Sequence, residues 1–188
     1  MKKIIFLIFL FQTNALSQNL EKVYFAGGCF RCMEEAFEKK EGVIEVISGY
    51  SGGTTKNPTY KEVTYGNTGH FEVIEVTYDK NITNFKNLLD YFWVNIDPFD
   101  EYGQFCDKGY SYRSVAFYQN DEQKKYIENS IMKLEKKFNK KIVTYIRKFD
   151  KFYKAEETHQ DYYKVKFLNY LRYKKACGRE KILNNIWN

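Results

Sequence analysis

The sequence predicts an α+β fold in which helices cover a mixed sheet in the ferredoxin-like split βαβ arrangement, followed by a C-terminal extension. Apolar residues alternate with a period of two in some segments and recur at helical spacing in others. In chain order these segments are strand, helix, strand, strand, helix and strand, which is the split βαβ order. The predicted elements are residues 23–25, 29–42, 43–50, 71–78, 84–96 and 114–118.

Glycines mark both ends of the first predicted helix. Gly28 turns the chain after the first strand, and Gly42 ends the helix. Between them, Phe30, Met33 and Phe37 lie at helical spacing, which gives the helix one apolar face. A glycine-rich loop at residues 51–58 follows the second strand.

The third predicted strand and the second predicted helix have the clearest patterns. Ile74, Val76 and Tyr78 share one face of the strand. The helix carries a continuous apolar stripe, and such a stripe packs against a core. The stripe consists of Phe85, Leu88, Leu89, Phe92, Trp93 and Ile96.

The second half of the chain is predicted to be less regular. A long loop at residues 97–112 precedes the strand at 114–118, and Asp121 is expected to cap a further helix. A strand is expected at residues 142–146 and a helix near 160–170. The residues that the capped helix turns inward are Ile127, Ile131, Leu134 and Phe138.

The 188 residues suit one domain, which we expect to span residues 18–188 and to end in a mobile tail. Residues 1–17 resemble a secretory signal, because Lys2 and Lys3 precede a short apolar run and the small residues Ala15 and Ser17 follow it. We therefore expect a periplasmic or secreted protein if the signal is cleaved, and a cytoplasmic one otherwise. No stable membrane association is expected.

The net charge of +6 raises the alternative of a non-enzymatic module that binds single-stranded nucleic acid. The lysines are spread along the chain and no RNP-like motif is present, so no nucleic-acid partner is expected. Salt-dependent binding of an oligonucleotide without enzymatic activity would favour that alternative. We expect a monomer.

Cys29 is the first candidate for chemistry among the four cysteines. It follows two glycines at the start of a predicted helix, where unpaired N–H groups and the helix dipole favour a thiolate. With Cys32 it forms Cys-x-x-Cys, so a general thiol–disulfide oxidoreductase is the alternative enzyme class. Only His70 and His159 are available as further metal ligands, and neither has the spacing of a zinc site, so no metal is expected.

Glu72 is the second candidate, because it has the same parity as Ile74 and Val76 on a predicted strand. If those residues face the core, so does Glu72, and burial raises the pKa of a carboxyl group. It would then be a proton donor near neutral pH. The alternative is a solvent-facing Glu72. The loop at residues 97–112 adds Asp107 and Tyr112, since long loops often carry binding residues.

These residues occur in ordered blocks that resemble the peptide methionine sulfoxide reductase A family over nearly the whole chain after the signal segment. So many blocks in order are more specific than any one motif. The blocks are Gly27-Gly28-Cys29-Phe30 with Glu34 and Phe37, residues 48–53, Asn57-Pro58-Thr59-Tyr60, Gly69-His70-Phe71-Glu72, Asp97-Pro98, residues 103–107 with Gly109, Tyr112-Arg113-Ser114, Ala155-Glu156, and residues 159–163.

The resemblance implies a thiol-dependent reductase of methionine S-sulfoxide, both protein-bound and free, that repairs oxidised proteins. Cys29 would attack the sulfoxide sulfur, and Glu72 would supply a proton to its oxygen. Tyr60 and Tyr112 would hold that oxygen, with Asp107 helping to orient the site. Attack would leave a sulfenic acid on Cys29, then a disulfide reduced by thioredoxin or another dithiol. No bound cofactor is implied.

Two positions remain open after this resemblance. The family usually has Trp where this chain has Arg31, so the pocket for the substrate methyl group would be formed by Phe30 and Arg31, and we expect activity with altered affinity. For the thiol that resolves Cys29 we expect Cys177, near the C-terminus, with Cys106 and Cys32 as alternatives.

Overall fold

The computed structural model describes residues 19–188, so the predicted signal peptide at 1–17 lies outside the described residues. The described part forms eight strands and seven α-helices. The strands are β1 (Leu20–Ala26), β2 (Val43–Ser51), β3 (Phe71–Asp79), β4 (Gly103–Gln104), β5 (Asp107–Lys108), β6 (Val115–Tyr118), β7 (Tyr145–Lys148) and β8 (Phe152–Lys154). The helices are α1 (Phe30–Glu38), α2 (Tyr60–Tyr65), α3 (Phe85–Val94), α4 (Asp121–Phe138), α5 (Tyr162–Val165), α6 (Phe167–Cys177) and α7 (Arg179–Trp187).

Six strands form one mixed sheet in the order β7-β6-β1-β3-β2-β8, while β4 and β5 pair as a separate hairpin. Within the large sheet β1 is antiparallel to β3 and β6, and β2 is antiparallel to β3 and β8. Only the pair β6–β7 is parallel in the described residues. The predicted α+β class, with a mixed sheet and helices, is confirmed.

The two faces of the sheet are buried in different ways, because side chains alternate along each strand. Phe25 and Ile74 turn to the face covered by α1, α3 and α4, where the Phe25 and Phe92 rings stack with centroids 4.8 Å apart. Tyr24 and Phe71 turn to the opposite face, in a smaller cluster. Every residue of β3 is buried, so its polar side chains lie inside the protein.

The junction between β1 and α1 requires glycine. Gly28 has φ +78°, in the region that other residues rarely adopt, and a Cβ on it would lie 2.5 Å from the Gln104 Cβ. The hairpin β4–β5 therefore approaches the backbone immediately before α1. This close approach brings the loop at residues 97–112 next to Cys29.

Three predicted boundaries in the second half are wrong. Asn120, rather than Asp121, caps α4, because its side chain accepts the Gln123 N–H. Strand β7 begins at Tyr145 instead of 142, since the N–H groups of Ile142 and Val143 bond to the Glu135 side chain and the Pro98 carbonyl. The helix near 160–170 is divided into α5 and α6 at Lys166.

Other elements were not predicted from the sequence. They are short or close to the C-terminus, where hydrophobic periodicity gives little signal. They are α2, α7, β8 and the hairpin β4–β5. Among the described helices, none has both the length and the apolar character needed to cross a membrane.

Candidate active site

Cys29 and Cys32 form a buried dithiol at the start of α1. Cys29 immediately precedes the helix, and its carbonyl accepts the N–H groups of Cys32 and Met33 at 3.0 and 3.2 Å. Both cysteines are free, and they are 7% and 4% exposed. Tyr170 from α6 packs against them, with further tyrosines at its edge. The C-terminal helices thus cover the predicted nucleophile.

The ionisation of this pair differs from the sequence-based expectation of a thiolate at Cys29. The hydrogen bond with Cys32 and burial raise the pKa of Cys29 above its ordinary value. The same hydrogen bond lowers the pKa of Cys32 to about 7, with further help from the positive charge of Arg179. A thiolate therefore forms near neutral pH, and in this covered state its charge rests on Cys32 because Cys29 donates to it.

Glu72 lies on β3 and is 1% exposed. Its Oε2 accepts the backbone N–H of Phe30 at 3.0 Å, which fixes the carboxyl beside the start of α1. Its Oε1 is buried without a hydrogen-bond partner. Burial, and next the interaction with the neighbouring Cys29 thiol, raise the pKa of Glu72 well above its ordinary value. The raised pKa favours the neutral acid form of Glu72, and Oε1 is the carboxyl oxygen left free to carry its proton.

Two tyrosine hydroxyls lie beside this acid. The hydroxyls of Tyr60 and Tyr112 are hydrogen-bonded to each other, and burial, followed by the carboxyl of Glu72, raises the pKa of both. Tyr60 is the first residue of α2, and Tyr112 ends a short 3₁₀ turn in the long loop. Both hydroxyls stay protonated near neutral pH, so either can donate a hydrogen bond to a bound oxygen atom.

Phe30 and Arg31 form an aromatic and cationic wall of the site. The Phe30 ring is buried against Tyr60, with centroids 6.2 Å apart, and against His159 at 5.4 Å. The Arg31 guanidinium lies 4.2 Å from the centroid of the Tyr162 ring, and its Nη2 donates to His159 Nδ1 at 2.6 Å. The position expected to hold the substrate methyl group is therefore lined by rings and one positive charge.

The remaining cysteines are joined to each other. Cys106 and Cys177 form a disulfide that ties the long loop to the end of α6. Asp107, which follows Cys106, accepts a hydrogen bond from the Tyr173 hydroxyl, and burial raises the pKa of Asp107. The charge of Asp107 acts on both Cys29 and Cys32. Cys177 as the resolving thiol stays a prediction, because the thiol in contact with Cys29 belongs to Cys32.

Sequence reasoning did not identify the residues that cover and support the site. Tyr170 and Tyr173 lie three apart on α6, a spacing that does place two side chains on one helix face. Arg179 is buried below them and donates to the carbonyls of Gly27 and Asn95. No local pattern marks Arg179, because the residues that it contacts are distant in sequence.

Two clusters of acidic or sulfur-containing side chains have the spacing of metal ligands, but their atoms already have partners within the protein. In the first, Cys106 and Cys177 are bonded to each other beside Asp107. In the second, Glu34, Glu38 and Asp161 lie together, and Lys164 forms ion pairs with Glu38 and Asp161. Neither group offers the free donor set that a structural metal ion requires.

Glu34 joins α1 to the segment that carries His159. One carboxyl oxygen accepts the Asp161 N–H at 3.0 Å, and the other accepts the Ser48 hydroxyl at 3.2 Å. Burial nevertheless raises the pKa of Glu34 to about 7. Its protonated form therefore stabilises the fold fully below the unfolded pKa, near 4.5, and this contribution is lost as pH rises through about 7.

We expect Glu34→Gln to make the free energy of unfolding less dependent on pH. Glutamine keeps the hydrogen-bonding shape but has no charge to bury, so about 3 kcal/mol of pH dependence between pH 5 and 8 is removed. Urea unfolding at both pH values measures the difference. Equal pH dependence in the wild type and the variant would contradict this role of Glu34.

Comparisons with known proteins agree with this arrangement. The sequence model of the family described as "Peptide methionine sulfoxide reductase" matches residues 21–188. A protein of Listeria monocytogenes, described as "Peptide methionine sulfoxide reductase MsrA", is 48% identical over 172 residues, which cover 90% of this chain and 97% of its own length.

Solved structures are similar as well. Mxr1 from Saccharomyces cerevisiae in its reduced form superposes with a TM-score of 0.72 at 30% identity, covering 77% of this chain and 84% of that one. The structure of the same yeast protein in complex with Trx2 shares the fold. It superposes with a TM-score of 0.54 at 23% identity, covering 76% of this chain and 84% of that one.

Proposed function

The chain belongs to the peptide methionine sulfoxide reductase family, and we propose that it reduces the S epimer of methionine sulfoxide with Cys29 as nucleophile and Glu72 as acid. It is an oxidoreductase that converts methionine sulfoxide to methionine. The observation that supports these two roles is the buried, unpartnered Oε1 of Glu72 beside the start of α1. Sulfoxide oxygen leaves sulfur readily only once it is protonated, so a thiolate and an acid must act on the same S–O group.

The proposed reaction conserves atoms and electrons. The Cys29 thiolate attacks the sulfoxide sulfur while Glu72 protonates its oxygen, with Tyr60 and Tyr112 as further donors to that oxygen. Attack forms a bond between the Cys29 sulfur and the substrate sulfur. This bond and the S–O bond of the substrate then break as the protonated oxygen is transferred to the Cys29 sulfur, which becomes a sulfenic acid. Substrate sulfur gains two electrons and Cys29 sulfur loses them. Methionine leaves, and Glu72 is regenerated by a solvent proton.

The dithiol explains how Cys29 becomes a thiolate in spite of its raised pKa. One proton is shared by the two sulfurs near neutral pH, because the pKa of Cys32 is lowered to about 7. A bound sulfoxide sulfur, which is electron-poor, favours the microstate with the negative charge on Cys29. The proton then moves to Cys32 within their existing hydrogen bond.

Consumption of the separate epimers of N-acetylmethionine sulfoxide tests the proposed function. With dithiothreitol as reductant, the purified protein should consume the S epimer and leave the R epimer. Equal consumption of both epimers, or of neither, would contradict the proposal. Reduction of insulin disulfides without sulfoxide turnover would favour the alternative of a general thiol–disulfide oxidoreductase.

We propose that recycling passes through three successive disulfides, and that Cys32, one of the alternatives to the predicted Cys177, is the thiol that first resolves Cys29. Cys32 reacts first with the sulfenic acid, releasing water, because its thiol contacts Cys29. Cys177 then attacks one sulfur of this disulfide, forms a mixed disulfide with it and releases the other sulfur as a thiol. Cys106 attacks Cys177 in the mixed disulfide and releases the second thiol, which gives the Cys106–Cys177 disulfide. A thioredoxin-like dithiol reduces that bond, as supported by the complex of Mxr1 with Trx2.

Mass spectrometry of trapped disulfides tests this order. After full reduction and one equivalent of substrate, we expect the wild type to end with Cys106–Cys177 joined, and Cys177→Ser to stop with Cys29–Cys32 joined. Cys106→Ser is the matched control, because it also lacks the final disulfide but keeps Cys177. If Cys32→Ser recycled with thioredoxin at the wild-type rate, the order would be wrong.

Three further expectations remain proposals. The central strand order β6-β1-β3-β2 supports a ferredoxin-like plait as the catalytic core of residues 18–188. The charged and apolar composition of residues 1–17 supports export by a cleaved signal, which N-terminal sequencing of the cell-derived protein tests. Both oxidised proteins and free methionine sulfoxide are proposed substrates.

A further inference from the structure

The guanidinium of Arg31 is a half-buried positive charge that lacks a carboxylate partner. In the described residues it forms no ion pair, and its Nε is buried without a hydrogen-bond partner. Its one polar contact is the bond from Nη2 to His159 Nδ1. Lys174, which is also partly buried, shows the usual arrangement, because it pairs with Glu35 and Glu180.

The groups around Arg31 solvate its charge without neutralising it. The guanidinium stacks on the Tyr162 ring at 4.2 Å and lies 5.6 Å from the centre of the Tyr60 ring. His159 is neutral near pH 7, because burial and the charge of Arg31 lower its pKa. Aromatic faces and a neutral imidazole hold a guanidinium in place and leave its remaining N–H groups free for an anion.

Arg31 also lies within reach of the reacting atoms. It is two residues after Cys29 in the first turn of α1. Its guanidinium lies 5.9 Å from the centre of the Phe30 ring and 5.6 Å from that of the Tyr60 ring. Burial acts to lower the pKa of Arg31, but the nearby ionisable groups of Cys29, Tyr60 and Glu72 raise it. An anion bound to Arg31 would therefore sit next to a sulfoxide placed between Cys29 and Glu72.

We propose that Arg31 is a specificity-determining residue that binds a carboxylate of the substrate close to the sulfoxide group. This inference rests on the proposed function. The carboxylate has two sources: the α-carboxylate of free or C-terminal methionine sulfoxide, and the side chain of an acidic residue next to methionine sulfoxide in a protein. Guanidinium matches a carboxylate with paired N–H donors, which gives a directional contact.

The competing role for the same charge is stabilisation of the Cys29 thiolate. The two roles separate experimentally, because a thiolate effect changes kcat for every substrate, whereas carboxylate binding changes KM for acidic substrates alone.

A matched pair of substrates tests the proposal. N-acetylmethionine S-sulfoxide and its amide differ only in the carboxylate. We expect wild-type kcat/KM to be about tenfold higher for the acid, from one charge-assisted contact. In Arg31→Gln the KM for the acid should rise about tenfold more than the KM for the amide, because any change in the methyl pocket affects both substrates equally. Arg31→Lys should retain part of the preference, because it keeps the charge.

Arg147→Gln is the matched control. Arg147 also stacks on a ring, 4.9 Å from the centre of Phe71, and that ring belongs to the cluster on the opposite face of the sheet. The hydrogen bonds of Arg147 go to the Gly52 carbonyl and the Tyr110 hydroxyl, so its loss removes one positive charge without removing a bond to Glu72 or Tyr112. We expect the acid-to-amide preference of Arg147→Gln to equal that of the wild type.

Binding without turnover separates this inference from the proposed function. Titration calorimetry of the acid and the amide with Cys29→Ser protein should show tighter binding of the acid, lost when Arg31→Gln is added. Equal affinity for acid and amide, or a kcat loss shared by both in Arg31→Gln, would overturn the role of Arg31. Absence of turnover with a preserved acid preference would contradict only the proposed function.

The two sources of the carboxylate are separated by peptides. An amidated peptide with aspartate beside methionine S-sulfoxide is compared with its asparagine counterpart, and with free methionine S-sulfoxide. If Arg31→Gln raises KM for the aspartate peptide, acidic protein sites are the source. If it does so only for the free amino acid, the α-carboxylate is the source. An unchanged KM for both contradicts the proposal.

Discussion

Cys29→Ser should lose reductase activity by a factor on the order of 10³ or more, the largest effect of any single substitution that we expect. A serine hydroxyl is a far weaker nucleophile than a thiolate and cannot take up the sulfoxide oxygen as a sulfenic acid. Methionine formed per enzyme molecule in a single turnover, without added reductant, measures the effect. The wild type should form at least one equivalent, and Cys29→Ser none.

Cys32→Ser is the matched control for this experiment, because it removes the neighbouring thiol from the same helix turn. We expect it to complete the first turnover and then to stop or recycle slowly. This control is needed because Cys32, and not Cys29, is the thiol whose pKa is lowered to about 7 when α6 covers the pair. First-turnover methionine from Cys29→Ser, with none from Cys32→Ser, would assign the nucleophile to Cys32.

Glu72→Gln should lower kcat/KM by about 10²–10⁴, the range for removal of a general acid. Glutamine keeps an oxygen for the Phe30 N–H but cannot protonate the sulfoxide oxygen. Because burial raises the pKa of Glu72, the active acid form is present below that pKa and is lost as pH rises through it. Wild-type kcat should therefore fall on the alkaline side, and Glu72→Gln should lack this decline.

Glu75→Gln is the control on the same strand. Glu75 is also buried in β3, but its carboxylate is bonded to the Lys22 ammonium and the Tyr24 hydroxyl, away from Cys29. We expect near wild-type kcat/KM and the same alkaline decline. A loss of similar size in both variants would mean that Glu72 acts through the fold and not as the acid.

Local patterns were sufficient to predict the parts of the site that lie on regular elements. Strand parity with Ile74 and Val76 predicts the direction of Glu72, because side chains alternate along a strand. The paired glycines before an apolar helix predict that Cys29 stands at a helix start. Both inferences depend only on residues a few positions apart.

Long-range contacts could not be predicted in this way. The Cys106–Cys177 disulfide joins residues 71 positions apart, and the Arg31–His159 bond joins residues 128 apart. The effect of long-range contacts on the pKa of Cys29 could not be predicted either. A helix start favours a thiolate at Cys29, yet burial under α6 and the hydrogen bond with Cys32 act more strongly and raise its pKa.

The protonation state of Glu72 at neutral pH tests the central claim most directly. An infrared difference spectrum between the wild type and Glu72→Gln at pH 7 reports this one carboxyl, because all other carboxyl groups are common to both proteins. We predict the carbonyl band of a protonated carboxylic acid, lost in the variant. Bands of an ionised carboxylate alone would contradict the account, because the sulfoxide oxygen would then have no acid.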